Sequence, residues 1–204
     1  MNNVVYFLEN KTYINITNSC TNACKFCIRD VKDDVKGACL WLDSDNIKAQ
    51  DVISELIKYR DKIKNEIIFC GYGEPLLRLD EVKKVCEYIR ENFPKIKIRI
   101  NTNGHASLVF KRNVPNELKN LIDEISISLN GENEVVYNDI SQPKIEGAYE
   151  GMLHFARDCV KVGIPTVMSV VVGYKNYKID TEKCRKIAEE IGAKFRIREW
   201  VEGY

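Results

Sequence analysis

Tyr13-Ile14-Asn15-Ile16-Thr17-Asn18-Ser19-Cys20-Thr21-Asn22-Ala23-Cys24-Lys25-Phe26-Cys27 is the stretch on which the fold turns. Its first five residues alternate apolar and polar, the period-two pattern of a strand with one buried face. The alternation returns in Lys97-Ile98-Arg99-Ile100-Asn101, in Glu124-Ile125-Ser126-Ile127-Ser128-Leu129 and in Lys194-Phe195-Arg196-Ile197-Arg198. A sheet covered by helices on both faces reads apolar throughout. These strands instead give Ile, Phe and Leu to a helical layer and polar groups to the opposite, concave side. Strands are expected at 13–17, 66–70, 96–102, 124–129, 166–172 and 194–198. Helical stripes lie between them. The first follows Asp45 as cap and carries Ile47, Val52, Ile53, Leu56 and Ile57; the second follows Asp80 with Val82, Val85, Cys86 and Ile89. A short third follows Pro115, a fourth spans about 144–161, and the last runs from Asp180 to Gly192. Strand and helix in alternation imply parallel pairing through right-handed crossovers. A doubly wound open sheet and a partial barrel both fit six such strands, and the polar parity favours the second. The expectation is an α/β fold, a partial (β/α)6 TIM-type barrel, with 4–9 added as a hairpin strand across Asn10-Lys11. No linker or repeat interrupts the chain, so 1–204 reads as a single domain.

The 204 residues are 45% hydrophobic and 30% charged, which excludes a disordered chain, and 11 Gly and 5 Pro exclude collagen-like or low-complexity classes. A formal net charge of +1 gives no general attraction to nucleic acid or to an anionic membrane. No apolar run reaches membrane-spanning length, and Met1-Asn2-Asn3-Val4 lacks the charged start of an export signal. A soluble, cytoplasmic protein without a membrane partner is expected. Of eight cysteines, Cys39, Cys70, Cys86, Cys159 and Cys184 are scattered and read as small buried hydrophobes, Cys39 beside Trp41 and Leu42. The other three crowd into eight residues.

Cys20, Cys24 and Cys27 follow the first core strand directly, where βα folds build their sites. Clustered thiols in a reducing compartment are more often metal ligands than disulfides. Tetrahedral zinc needs a fourth ligand, and neither of the two histidines, His105 and His154, stands at a zinc-finger spacing. An ordinary [4Fe–4S] cluster uses four cysteines. Three leave one iron open. After the second strand comes Gly71-Tyr72-Gly73-Glu74-Pro75, a turn in which glycines allow a sharp bend and close approach, and Glu74 adds a carboxylate at the same strand end.

Cys-x3-Cys-x2-Cys after a first strand, with the aromatic Phe26 before the third cysteine, resembles the radical S-adenosylmethionine (SAM) superfamily. Gly71-Tyr72-Gly73-Glu74 is similar to its Gly-Gly-Glu motif, Asn101-Thr102-Asn103-Gly104 to its Thr-Asn-Gly turn, and Ser126–Gly131 to its polar fourth strand end. The fifth strand ends Val170-Val171-Val172-Gly173 and lacks the first glycine of the corresponding family stretch. The resemblance implies a [4Fe–4S] cluster on Cys20, Cys24 and Cys27 whose fourth iron takes SAM. It also implies SAM contacts from Phe26, Gly71, Tyr72, Gly73, Glu74, Asn101, Asn103 and Ser128. The implied activity is reductive cleavage of SAM to a 5′-deoxyadenosyl radical that abstracts hydrogen from substrate. The electron donor would be a flavodoxin or ferredoxin, and the substrate could be a macromolecule or protein. Cys24–Arg29 with Leu40-Trp41-Leu42 is similar to the TatD-associated members. The alternative is a non-catalytic iron–sulfur or zinc module on the same triplet. Lys97, Arg99, Arg196 and Arg198 could favour an anionic substrate, or could form an ion-pair layer with Glu66 and Glu124.

Overall fold

The computed structural model describes residues 3–35 and 37–200, which separate by contacts into two compact units. The first holds residues up to Cys20, 28–101 and 120–123; the second holds 21–27, 102–119 and 124 onward.

In the first unit β1 (Val5–Leu8) pairs antiparallel with β2 (Lys11–Ile14), Leu8 opposite Lys11. Glu9 and Asn10 carry the turn, at φ 49° and 66°. The two-residue hairpin thus sits one residue earlier than Asn10-Lys11, because its two central residues must both be left-handed and Lys11 belongs to the ladder. A small ribbon of β3 (Asp34–Val35) and β4 (Ala38–Cys39), which the sequence pattern did not suggest, follows. Then come α1 (Ala49–Lys58), β5 (Glu66–Phe69), α2 (Leu79–Asn92) and β6 (Lys97–Thr102). β2, β5 and β6 form a parallel ladder, Ile14 opposite Phe69 and Phe69 opposite Ile100. Ile67, Ile68 and Phe69 are fully buried, so β5 is apolar on both faces. α2 buries Leu79, Val82, Val85, Cys86 and Ile89, the expected stripe, each side chain contributing roughly 1.5–3 kcal/mol. On α1, Val52 and Leu56 are buried but Ile57 is 53% exposed. Glu66 accepts ion pairs from Arg99 at 3.5 Å and Lys11 at 3.4 Å, the rim layer considered above.

The second unit contains α3 (Ala106–Phe110), α4 (Val114–Leu118), β7 (Glu124–Ser128), α5 (Glu134–Ser141), α6 (Ala148–Lys161), β8 (Thr166–Val172), α7 (Thr181–Ile191) and β9 (Lys194–Glu199). β7, β8 and β9 are parallel neighbours. α6 begins at Ala148, not 144, because residues 140–144 are engaged by the cysteine loop. Its buried face is Ala148, Tyr149, Met152, Leu153, Phe155, Ala156 and Cys159. α7 has Asp180 as N-cap, accepting from the Lys183 amide, and ends on Gly192 at φ 85°. The βα alternation and parallel pairing of an α/β fold are therefore present within each unit. Among the described residues no helix is long and apolar enough to cross a membrane.

Candidate cofactor site

In the first unit, the segment leading from β2 to Cys20 is fastened from several sides. Asn15, 1% exposed, donates from Nδ2 to the Leu40 carbonyl at 2.6 Å. Asp45 is not a helix cap, because α1 starts only after Lys48. Its carboxylate instead accepts from the Asn18 amide (2.5 Å), Thr17 Oγ1 (3.0 Å) and Ser19 Oγ (2.7 Å). Partial burial works against the charge, yet these hydrogen bonds prevail and hold the Asp45 pKa below its ordinary value.

The 71–74 turn packs on this same segment. A Cβ on Gly71 would fall 2.0 Å from Asn15 Oδ1, and one on Gly73 would fall 2.4 Å from the Thr17 carbonyl oxygen. Gly73 is thus required by backbone approach and Gly71 by the buried Asn15 side chain, and neither has the left-handed φ of a special turn. The Glu74 amide donates to the Ser19 carbonyl at 2.8 Å, and its buried carboxylate caps the turn at Pro75–Arg78 by accepting from the Leu76 amide. Tyr72, 4% exposed, donates to the Lys32 carbonyl and meets Trp41 edge-on at 5.2 Å. Arg29 Nη1 reaches the carbonyls of Asn18 (3.3 Å) and Tyr72 (3.5 Å). These contacts give the Ile28-Arg29 and Leu40-Trp41-Leu42 segments a structural purpose.

In the second unit, loop 21–27 is laid along the exit of α5. The Ala23 amide donates to the Ser141 and Gln142 carbonyls, the Lys25 amide to Ile140 at 2.9 Å, and the Lys144 amide to Thr21 at 2.8 Å. Lys25 Nζ pairs with Asp139 Oδ1 at 2.6 Å and with the Tyr177 hydroxyl. Cys24 and Cys27 bracket a turn closed by the Cys27 amide on the Cys24 carbonyl. Phe26 meets Tyr174 edge-on at 6.2 Å.

A buried polar chain secures the start of that loop. The His105 amide donates to Asn103 Oδ1, which directs Asn103 Nδ2 to Thr21 Oγ1 at 2.8 Å. Thr21 Oγ1 lies 2.9 Å from His105 Nδ1, and His105 Nε2 lies 2.7 Å from the Tyr137 hydroxyl. His105 is wholly buried, and burial pushes its pKa down to about 4, so the ring is neutral at pH 7.

The structure brings Gly71–Glu74 against the 15–19 segment, and Asn103 against Thr21. Ser128 stands part-exposed at the end of β7, opposite Ser169. The bracing roles of Asp45, Arg29 and His105, and Tyr137 and α5 altogether, escaped the sequence reading; only the hydrogen-bonding type of Asn133, the α5 N-cap, signals that helix. Cys20, Cys24 and Cys27 are part-exposed thiols, whereas Cys86, Cys159 and Cys184 are buried. Cys39, expected inside, is exposed, because the β3–β4 ribbon turns it outward while Leu40 enters the core, and Cys70, also expected inside, is part-exposed because it stands just past the end of β5.

Three accessible soft thiolates suit an iron–sulfur cluster. Among the described residues no three His, Cys, Asp or Glu side chains converge as a single metal ion requires. A cluster makes a different demand, since each thiolate takes its own iron. Asn15 Oδ1 and Asn101 Oδ1 in the first unit, and Asn130 Oδ1 in the second, are buried acceptors without a hydrogen-bond partner among the described residues. Acceptors of this kind, in either unit, fit ammonium or hydroxyl donors.

Residues 14–196 match the family described as the Radical SAM superfamily. An uncharacterized protein of Methanocaldococcus jannaschii is 26% identical over 162 residues, 76% of this chain and 52% of its own length. The chain thus spans about half of that relative. Among solved structures, Streptococcus suis SuiB bound to precursor peptide SuiA aligns over 93% of this chain and 39% of its own, with a TM-score of 0.69 at 18% identity. A radical SAM methyltransferase from Sphaerobacter thermophilus aligns over 96% and 68%, with a TM-score of 0.61 at 12% identity. The α/β fold resembles that of the radical SAM partial barrel.

Proposed function

Because this chain belongs to the radical SAM superfamily, we propose that it is an enzyme that cleaves SAM reductively and abstracts hydrogen from a substrate. Cys20, Cys24 and Cys27 would hold a [4Fe–4S] cluster, with SAM completing its fourth iron. When bound, the cluster supplies the electron that splits the sulfonium carbon–sulfur bond of SAM. The observation that carries this reading is an uninterrupted cysteine motif inside a family match that runs nearly the length of the described chain.

The protein's own part is positioning and shielding. Asp45, Arg29 and the Glu74 amide hold the backbone that delivers Cys20. The α5 carbonyls and the Thr21–His105–Tyr137 chain hold the loop bearing Cys24 and Cys27. Phe26 and Tyr174 supply apolar surface beside that loop, which limits access of water. The backbone of Gly71–Glu74 and the acceptor of Asn101 would receive polar groups of SAM, with Phe26, Tyr72, Asn103 and Ser128 around it. Residues 1–204 would work as one radical SAM core in the cytoplasm, reduced by a flavodoxin or ferredoxin. The sequence similarity of Cys24–Arg29 and Leu40-Trp41-Leu42 is what supports placing it with the TatD-associated members. A peptide is the first substrate class to try, since a solved structure of similar fold carries one.

Anaerobic reconstitution with iron and sulfide, followed by dithionite and SAM, tests the proposal. The expected result is an iron–sulfur spectrum and 5′-deoxyadenosine, both lost in Cys24→Ala. Zinc at about one per chain without 5′-deoxyadenosine would instead establish the non-catalytic module.

A further inference from the structure

The polar residues of the three-stranded ladder in the second unit fall into register. Ser128 on β7 is opposite Ser169 on β8, which is opposite Arg196 on β9. Paired residues point to the same face of a sheet, so the three form one row across the strands. Ser126 is two residues back on that face, and Arg196 Nη2 reaches its hydroxyl at 3.0 Å. Ser126 and Ser169 are 7% and 1% exposed. The basic side chains singled out in the sequence here part company. Arg99 has its carboxylate in Glu66, whereas Arg196 has no carboxylate within ion-pair reach among the described residues. Its Nε is buried without a hydrogen-bond partner. A half-buried guanidinium whose one bond goes to a neutral hydroxyl has lost hydration without gaining a counter-charge. That state is costly until an acceptor anion arrives, and the planar fork is built for a carboxylate or phosphate.

We propose that the Arg196–Ser126–Ser169 face of β7–β8–β9 binds an anionic group, a carboxylate or phosphate, of the molecule whose hydrogen is abstracted. The proposal rests on the radical SAM reading for the identity of that molecule as substrate, but the anion site itself does not depend on a cluster. Arg196 is thereby a specificity-determining residue that would select acidic substrates over neutral isosteres.

Uniformly 15N-labelled protein is titrated with inorganic phosphate, and separately with acetate, against sodium chloride at matched ionic strength. The Arg196 signal, assigned by its disappearance in Arg196→Lys and Arg196→Gln, is expected to shift saturably with phosphate or acetate and not with chloride. The backbone amides of Ser126 and Ser169 should follow, with at least about tenfold weaker phosphate binding in Arg196→Gln. An Arg196 signal that tracks ionic strength alone overturns the site, and this arm needs only the wild-type chain. In the reconstituted holoprotein the same titration is repeated with saturating SAM. A phosphate response that persists assigns the site to substrate. A response abolished by SAM assigns the anion to SAM's own carboxylate and overturns the substrate role. Absence of 5′-deoxyadenosine in the wild type would count against the enzyme reading and leave the phosphate titration standing.

Discussion

A methyl group on Gly73 would stand 2.4 Å from the Thr17 carbonyl oxygen and 2.6 Å from that of Ser19, two backbone atoms with no rotamer to yield. Gly73→Ala should therefore cost about 1–3 kcal/mol, read as a fall of several degrees in melting temperature of the metal-free chain. His105 gives a pH signature. Its folded pKa of about 4 lies below the ordinary 6.5, so between those values the unfolded chain takes up the proton first. The stability of the neutral, buried ring is complete above pH 6.5 and is lost as the pH falls towards 4, on the order of 3 kcal/mol. Urea melts at pH 7 and pH 4.5 should show a steeper loss for the wild type than for His105→Gln; parallel losses would contradict the buried neutral ring. The close approach at Gly73 was legible in its Gly-x-Gly turn, but the role of His105 was not visible in the sequence. His105 follows a Thr-Asn-Gly turn and looks like any turn residue, and its partners Thr21 and Tyr137 lie 84 and 32 positions away.

The elements that could be read from the chain are those whose side chains alternate or stripe cleanly. β8 runs over the expected residues, α2 buries its expected stripe, and α7 starts and stops at Asp180 and Gly192. α5 stayed hidden because Val135-Val136-Tyr137 has strand propensity and only Tyr137, Ile140 and Ser141 are buried. Tertiary support makes that helix. Its carbonyls at Ile140, Ser141 and Gln142 receive the amides of Lys25 and Ala23. Asn133 caps it by accepting from the Val136 amide at 3.0 Å. Asn133→Ala should cost about 1 kcal/mol. It should also speed hydrogen exchange at Ala23 and Lys25, which are distant in sequence. Unchanged exchange at those two amides would mean that α5 does not brace the loop.

At the scale of the molecule, the eight cysteines divide by accessibility. Cys86, Cys159 and Cys184 are buried, and burial raises each thiol pKa, that of Cys184 to about 12. Cys39 is exposed, and Cys70 and the three motif thiols are part-exposed. Brief iodoacetamide treatment of the native metal-free chain should label Cys39, Cys70, Cys20, Cys24 and Cys27, and should reach the buried three only after denaturation. Peptide mass spectrometry reads the pattern directly. Composition indicated the βα class and the cluster motif, because periodicity and cysteine spacing are local. That Arg99 meets the Glu66 carboxylate while Arg196 meets only the Ser126 hydroxyl is decided by strand register and needed coordinates.

The hydrogen bonds that hold Ala23, Lys25 and Thr21 are all made by protein to protein. On the proposed function, a loop braced in this way should fold before any cluster is inserted, unlike small zinc domains that collapse only around their ion. Newly made polypeptide would then ripen before iron reached it, and a delivery protein would hand its cargo to a scaffold already shaped. Stripping the reconstituted protein with a chelator should bleach it while leaving its circular dichroism intact, and refilling should need no refolding.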